Sequence, residues 1–171
     1  MKRFLFYLAV LCVAACTTGC IVPNCISDII VENTRIAAEA GDAEDQYLLG
    51  CFYEVGRIVA EDRDAAAKWI RKAAEKGHAE AQCRLGLYYL SGFGVAEDMN
   101  EAVKWIRKSA EQGCAEAQYV LAACYAKGTG VPYDMSEAMC WLDKSAAQEF
   151  PDAVKMLNHI KEQFNIAKPG N

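Results

Sequence analysis

The three tryptophans of this 171-residue chain, Trp69, Trp105 and Trp141, stand 36 residues apart. The same interval separates Gly41, Gly77 and Gly113; Gln46, Gln82 and Gln118; Tyr53, Tyr89 and Tyr125; Gly56, Gly92 and Gly128; and Asp62, Asp98 and Asp134. Nothing is inserted or lost between copies, so one register runs through three full units. A unit of this length is a small supersecondary element that cannot bury its apolar face alone, and it becomes stable by stacking on its neighbours.

Inside a unit the apolar and small residues follow helical spacing. Ala81, Leu85, Tyr88, Tyr89 and Gly92 mark one helix, and Ala102, Trp105, Ile106 and Ala110 mark the next. Between them run Gly92-Phe93-Gly94-Val95 and, a unit later, Gly128-Thr129-Gly130-Val131, where glycine ends the first helix and valine returns the chain to the core. Asp98 and Asp134 then sit where a carboxylate caps the second helix. The pattern predicts an all-α fold, an α/α superhelical solenoid of helix-turn-helix repeats. Its repeats fall at about 43–78, 79–114 and 115–150, with half-unit capping helices at 28–40 and 151–164 and a tail at 165–171. Pro151 falls where a helix start tolerates proline.

Residues 1–15 read as an export signal: Lys2 and Arg3 precede an uncharged, mostly apolar run from Phe4 to Ala15, too short to span a bilayer as a helix. Val13-Ala14-Ala15-Cys16 resembles a lipobox, which makes Cys16 the expected lipidation site and residues 16–27 a short linker. Lipidation at Cys20, cleavage after Ala15 without lipid, and retention of the segment as an anchor stay open. The expected location is the cell envelope, on the periplasmic side of an outer membrane, with the membrane reached through the N-terminal lipid; secretion is the alternative.

Composition narrows the partners. An apolar content of 53% suits a folded chain, and removal of Lys2 and Arg3 leaves 16 basic against 23 acidic residues. Nucleic acid needs clustered lysine and arginine and is not expected as a partner.

The series Ala-x-Ala-Gln-x-x-Leu-Gly-x-x-Tyr, Gly-x-Gly-Val-x-x-Asp and Ala-x-x-Trp-x-x-Lys-Ala-Ala-Glu-x-Gly resembles Sel1-like repeats. Residues 74 to 113 carry most of it and residues 28 to 164 are covered. A tetratricopeptide array, the related TPR-like class, has a shorter period, near 34 residues. Departures are Ile58 at the second loop glycine, Ala122 for Gly, Cys140 for Lys, and Ser109 and Ser145 for Ala, each expected to weaken one interface. The resemblance implies a right-handed superhelix with the first helices on its concave face, and a non-catalytic adaptor that binds a protein or peptide. Some cysteine-rich relatives are associated with β-lactam binding or hydrolysis, a less favoured alternative. That branch also has inter-helix bridges, whose regular spacing is not reproduced here.

Beside the constant stripe of the first helices runs one that differs between copies. It comprises Tyr47, Leu48, Cys51 and Val55; Cys83, Arg84, Leu87 and Ser91; and Tyr119, Val120, Ala123 and Lys127. Steps of three and four put these residues on one face, which is the candidate protein-binding surface. The alternative is that they vary because they face solvent or pack on the next repeat.

Nine cysteines in an exported chain make disulfides possible, and Cys124 with Cys140, at similar distances from one turn, is the candidate pair, although Cys140 shares the phase of Lys68 and Lys104, which reads as facing solvent. Cys51, Cys83 and Cys114 read as buried small hydrophobes or surface thiols. No Cys-x-x-Cys is present and the two histidines, His78 and His159, are far apart, so no metal is expected. His78 reads as an exposed turn residue. Neither a nucleophile with its base nor a phosphate-binding loop is found, and no catalytic residue or cofactor is assigned.

Overall fold

A computed structural model describes residues 24–56 and 58–163, and every element in that span is helical. The signal segment, Cys16, Cys20 and the tail at 165–171 lie outside the described residues. Eight helices follow in chain order: α1 Asn24–Ala40, α2 Ala43–Val55, α3 Arg63–Glu75, α4 Ala79–Ser91, α5 Met99–Glu111, α6 Ala115–Lys127, α7 Met135–Ala147 and α8 Pro151–Gln163. α1 begins four residues before the expected Asp28. A charged residue assists a helix start without being needed for one, and no breaker stands between Pro23 and Asp28.

Each helix packs on the next. Across that order α4 and α6, both first helices, also touch directly, so the first helices of neighbouring units lie close together. Second helices are capped by Asp62, Asp98 and Asp134, whose carboxylates accept backbone N–H bonds from the first turn. First helices end on Gly92 and its equivalents in the left-handed conformation, φ 69° at Gly92.

The core is a spine with the period of the sequence. Leu49, Leu85 and Leu121 from first helices meet Ile70, Ile106 and Leu142 from second helices, all fully buried. Close approach needs a small partner: a Cβ on Gly50 would lie 2.7 Å from Ile70 Cγ1, and one on Gly86 would overlap Ile106. In the third unit both members change, to Ala122 and Leu142, and both stay buried in one cluster. Ala122 therefore does not weaken its interface as expected, because its counterpart has lost the β-branch that would crowd it. The loops add a second fit. Gly94 lies against the Arg63 carbonyl and Gly130 against the Met99 carbonyl, so each loop rests on the start of the preceding second helix.

A polar seam joins the units. Gln46, Gln82 and Gln118 are buried and donate through Nε2 to the carbonyls of Ala38, Ala74 and Ala110. The Oε1 of Gln82 accepts from Gln112 at 2.7 Å, and that of Gln118 from Gln148 at 2.8 Å. Ser109 and Ser145 donate to the carbonyls of Ala79 and Ala115 at 2.6 and 2.7 Å. These serines were expected to weaken their interfaces; each instead adds a hydrogen bond across one.

The seam has one gap. Lys76 stands where the later units have Gln112 and Gln148; it donates to the Gly41 carbonyl, and Gln46 Oε1 is left buried without a partner. A Lys76→Gln chain is expected to close the bond and gain about 1 kcal/mol, roughly 2–4 °C in Tm. Thermal melts of the two chains check it: an unchanged or lower Tm would mean that Gln46 gains nothing from the new neighbour.

A candidate protein-binding face

Burial sorts the variable stripe into residues that face outward and residues that hold the units together. Leu48, Val55, Ser91 and Lys127 are exposed, Leu48 by 38% and Val55 by 59%. Tyr47, Cys51, Leu87, Tyr119 and Val120 are half-buried against the core clusters. Cys83 is 1% exposed, so it belongs to the interior and not to the expected contact surface. The helical spacing is right, but the stripe straddles the line where the next unit docks.

Arg84 is the most distinctive member. Its guanidinium lies 3.4 Å from the Glu54 carboxylate, joining α2 to α4, with the side chains 33% and 23% exposed. Tyr47 also approaches Arg84, and burial raises the Tyr47 pKa. Burial by itself would lower the Arg84 pKa, but Glu54 and Tyr47 outweigh it and raise it, so the charge is retained. The Tyr88 hydroxyl is buried beside Glu54 without closing a hydrogen bond; burial first, then the Glu54 charge, push its pKa up. The ion pair stays partly open to solvent between α2 and α4, with the Tyr88 hydroxyl buried beneath it. Glu54 was missed in the sequence. Its counterparts are Leu90 and Ala126, and an acid in an otherwise apolar phase signals a cation nearby.

His78 was expected to be an exposed turn residue and is not. It caps α4, with Nδ1 accepting from the Ala81 N–H at 3.2 Å, its ring stacks on Tyr47, and Nε2 lies 2.9 Å from Glu44. Its side chain is 11% exposed, because the turn is the place where the following unit docks.

The candidate Cys124–Cys140 pair is unbridged in the structure, and Cys140 faces solvent as its phase suggested. Cys124 points into the core cluster of α4, α5 and α6, whereas Cys140 is exposed, and both are free thiols. Equal distances from a turn do not put two side chains on facing sides of a helix pair. Among the described residues no group of three or more histidines, cysteines and carboxylates could hold a metal, and no helix is long and apolar enough to cross a membrane.

The outer surface repeats as regularly as the spine. Lys72, Lys108 and Lys144 lie over the rings of Trp69, Trp105 and Trp141, at 3.8, 4.2 and 3.9 Å from the centroids. Arg35, Arg71 and Arg107 donate to the hydroxyls of Tyr53, Tyr89 and Tyr125. The units differ instead along the variable stripe of the first helices.

Comparison with known proteins gives a consistent result. The Sel1 repeat family model matches residues 43–78, 79–114 and 115–150. A Sel1 repeat protein from Oxalobacter formigenes is 36% identical, with a TM-score of 0.68, over 75% of this chain and 96% of its own. The protein c5321, a protective antigen of uropathogenic Escherichia coli strains displaying an SLR fold, is 38% identical with a TM-score of 0.67. That match covers 69% of this chain, which spans a quarter (25%) of c5321. Helicobacter pylori cysteine rich protein B, at 17% identity and a TM-score of 0.61 over 81% of this chain and 98% of its own, shares the fold. No curated protein matches the chain.

Proposed function

Because this chain belongs to the Sel1 repeat family, whose members are generally protein-interaction scaffolds, we propose that it is a non-catalytic adaptor whose first helices α2, α4 and α6 receive a peptide or protein. One observation carries this reading. The spine, the caps and the tryptophan face repeat in register, while α2, α4 and α6 offer Leu48 and Val55, the Arg84–Glu54 pair and Lys127 in turn. An apolar edge, a half-buried ion pair and a cation in sequence form a surface that reads an extended partner along the array. The Arg84 end is the expected anchor, since a partly desolvated arginine contributes more to binding than a rim lysine.

The proposal places the adaptor at the cell envelope, tethered through a lipid on Cys16, with Cys20 as the alternative acceptor. Its support is the apolar run ending in Val13-Ala14-Ala15-Cys16. One acyl chain binds a membrane only marginally, and the several chains of a bacterial lipid anchor hold much more firmly.

Photo-crosslinking from defined positions tests both parts in the producing cell. A crosslinker at Leu48 or Lys127 is expected to trap a partner in envelope fractions, and one at Lys68 or Lys104, exposed on second helices, is not. Arg84→Glu, which sets a carboxylate against Glu54, is expected to lower that yield tenfold or more. Equal trapping from both faces would sink the assignment of the surface, and a mature chain whose intact mass lacks lipid would sink the tether.

A further inference from the structure

One contact recurs at every junction between successive full units and at the junction with the last helix. Tyr47 of α2 stacks on His78, just before α4, with ring centroids 4.8 Å apart; Tyr119 of α6 meets Phe150, just before α8, at 5.6 Å. The equivalent place between them holds Cys83 of α4 and Cys114, just before α6, packed in one cluster. Where the outer junctions are closed by aromatic rings, the middle one is closed by two free thiols.

The two thiols differ in their surroundings. Cys83 is 1% exposed and Cys114 is half-buried. Cys114 is the N-cap residue of α6; its side chain closes no capping hydrogen bond, and the Ala117 N–H, the Ser109 side chain and the Cys83 thiol lie near its sulfur. Hydrogen bonding from Cys83 lowers its pKa most; burial opposes, the Ala117 N–H reinforces, Glu80 opposes weakly, and the result is about 6. For Cys83 the same hydrogen bond, burial and the charge of Glu116 all raise the pKa, against Arg84 alone. The more accessible sulfur is thus the more acidic of the two, and the sheltered one lies in the same cluster.

We propose that Cys114 and Cys83 form a thiol–disulfide exchange couple that takes a low-molecular-weight disulfide as its oxidant. The Cys114 thiolate attacks one sulfur of the small disulfide, forming a mixed disulfide and releasing one small thiolate. The Cys83 sulfur then attacks the Cys114 sulfur; the second small thiol leaves with the Cys83 proton, and a Cys83–Cys114 bond remains. Two protein thiols are oxidised and one small disulfide is reduced to two thiols. The order is fixed by access, because Cys114 is half-buried and Cys83 only 1% exposed. The bond ties α4 to the start of α6 and fixes the junction next to Arg84, and the chemistry stands whether or not a partner occupies that face.

The test treats the folded full-length chain with oxidised glutathione, blocks remaining thiols, and maps peptides after cleavage at Lys, Arg and Glu. This separates Cys83 (Ala81–Arg84) from Cys114 (Gln112–Glu116), and Cys114 from Cys124. The expected product is a Cys83–Cys114 linked peptide, reversed by dithiothreitol, in a chain that melts higher than the reduced one. In Cys83→Ala, which far-UV circular dichroism checks for folding, glutathione is expected to remain on Cys114. The pH midpoint for iodoacetamide labelling of Cys114 is expected to rise from about 6 toward the ordinary thiol range. Persistent glutathione on Cys114 in the unsubstituted chain, a link from Cys114 to Cys124, or a midpoint unmoved in the folded Cys83→Ala chain would overturn the couple.

Discussion

Gly94→Ala is expected to cost about 3 kcal/mol of folding free energy, far more than a methyl group in a surface loop ordinarily does. Two effects add. Gly94 has φ 62°, the left-handed region in which a Cβ costs about 1–2 kcal/mol, and a Cβ there would overlap the Arg63 carbonyl, a backbone group at the head of α3 that cannot rotate away. Restricting the unfolded chain returns a little under 1 kcal/mol. Gly77→Ala separates the two effects, since Gly77 has φ 94° but nothing within 4 Å of a Cβ, and its expected cost is about 1 kcal/mol. Equal losses in urea titrations of the two variants would show that the loop is not seated on the preceding unit.

The second large effect is a coupling. Gly86→Ala alone is expected to cost about 2 kcal/mol, because the new methyl overlaps Ile106 Cγ1 and lies 3.0 Å from the Ala102 carbonyl in a spine with no space to spare. Combined with Ile106→Leu, most of that loss is expected to return, since the third unit already contains this pair as Ala122 and Leu142. The β-branch of isoleucine fills the volume that the methyl needs, whereas leucine branches one carbon further out. A double-mutant cycle with a coupling of at least about 1 kcal/mol is the expected outcome. Strict additivity would mean that the two positions do not sense each other.

These two variants also show what could be read from the sequence and what could not. Comparing the chain with itself at an offset of 36 reveals every position that has the same surroundings in each unit, hence the helices, the capping aspartates and the leucine–isoleucine spine. Many residues that touch between helices stand instead 30 or 31 positions apart, as do Glu54 and Arg84 between two units, Gln82 and Gln112 and Ser109 and Ala79 within one, and Tyr47 and His78 where the next helix begins. A departure from the repeat at one position is explained by its partner at that second offset. Ser109 thus looked like a defect until its acceptor was known, and Cys83 and Cys114 looked like unrelated thiols. The variable stripe was found by its helical spacing, but spacing does not separate Leu48, which faces outward, from Tyr47 beside it, which docks on the following unit. Glu149 marks the same limit: it has φ 61° at the place of Gly41, before the first unit, and of Gly77 and Gly113, in the two earlier units, a strained position that its residue type alone does not announce.

Among the described residues, the hydrogen bonds that cross a unit boundary, such as Lys76 to Gly41, Arg84 to Glu54 and Gln148 to Gly113, join neighbours at separations no greater than 35 residues. Mechanically, such an array is a coil spring. A small rotation at each junction is shared along the chain and adds up at the ends, with no strut between α2 and α8 to resist it. A ligand held by α2 and α6 together would wind the coil tighter or open it, and the stiffness it meets is set by the softest junction. Tyr47 stacks on His78 and Tyr119 tilts against Phe150 at the outer junctions; between them, at Cys83 and Cys114, the spring constant would depend on whether two sulfur atoms are joined.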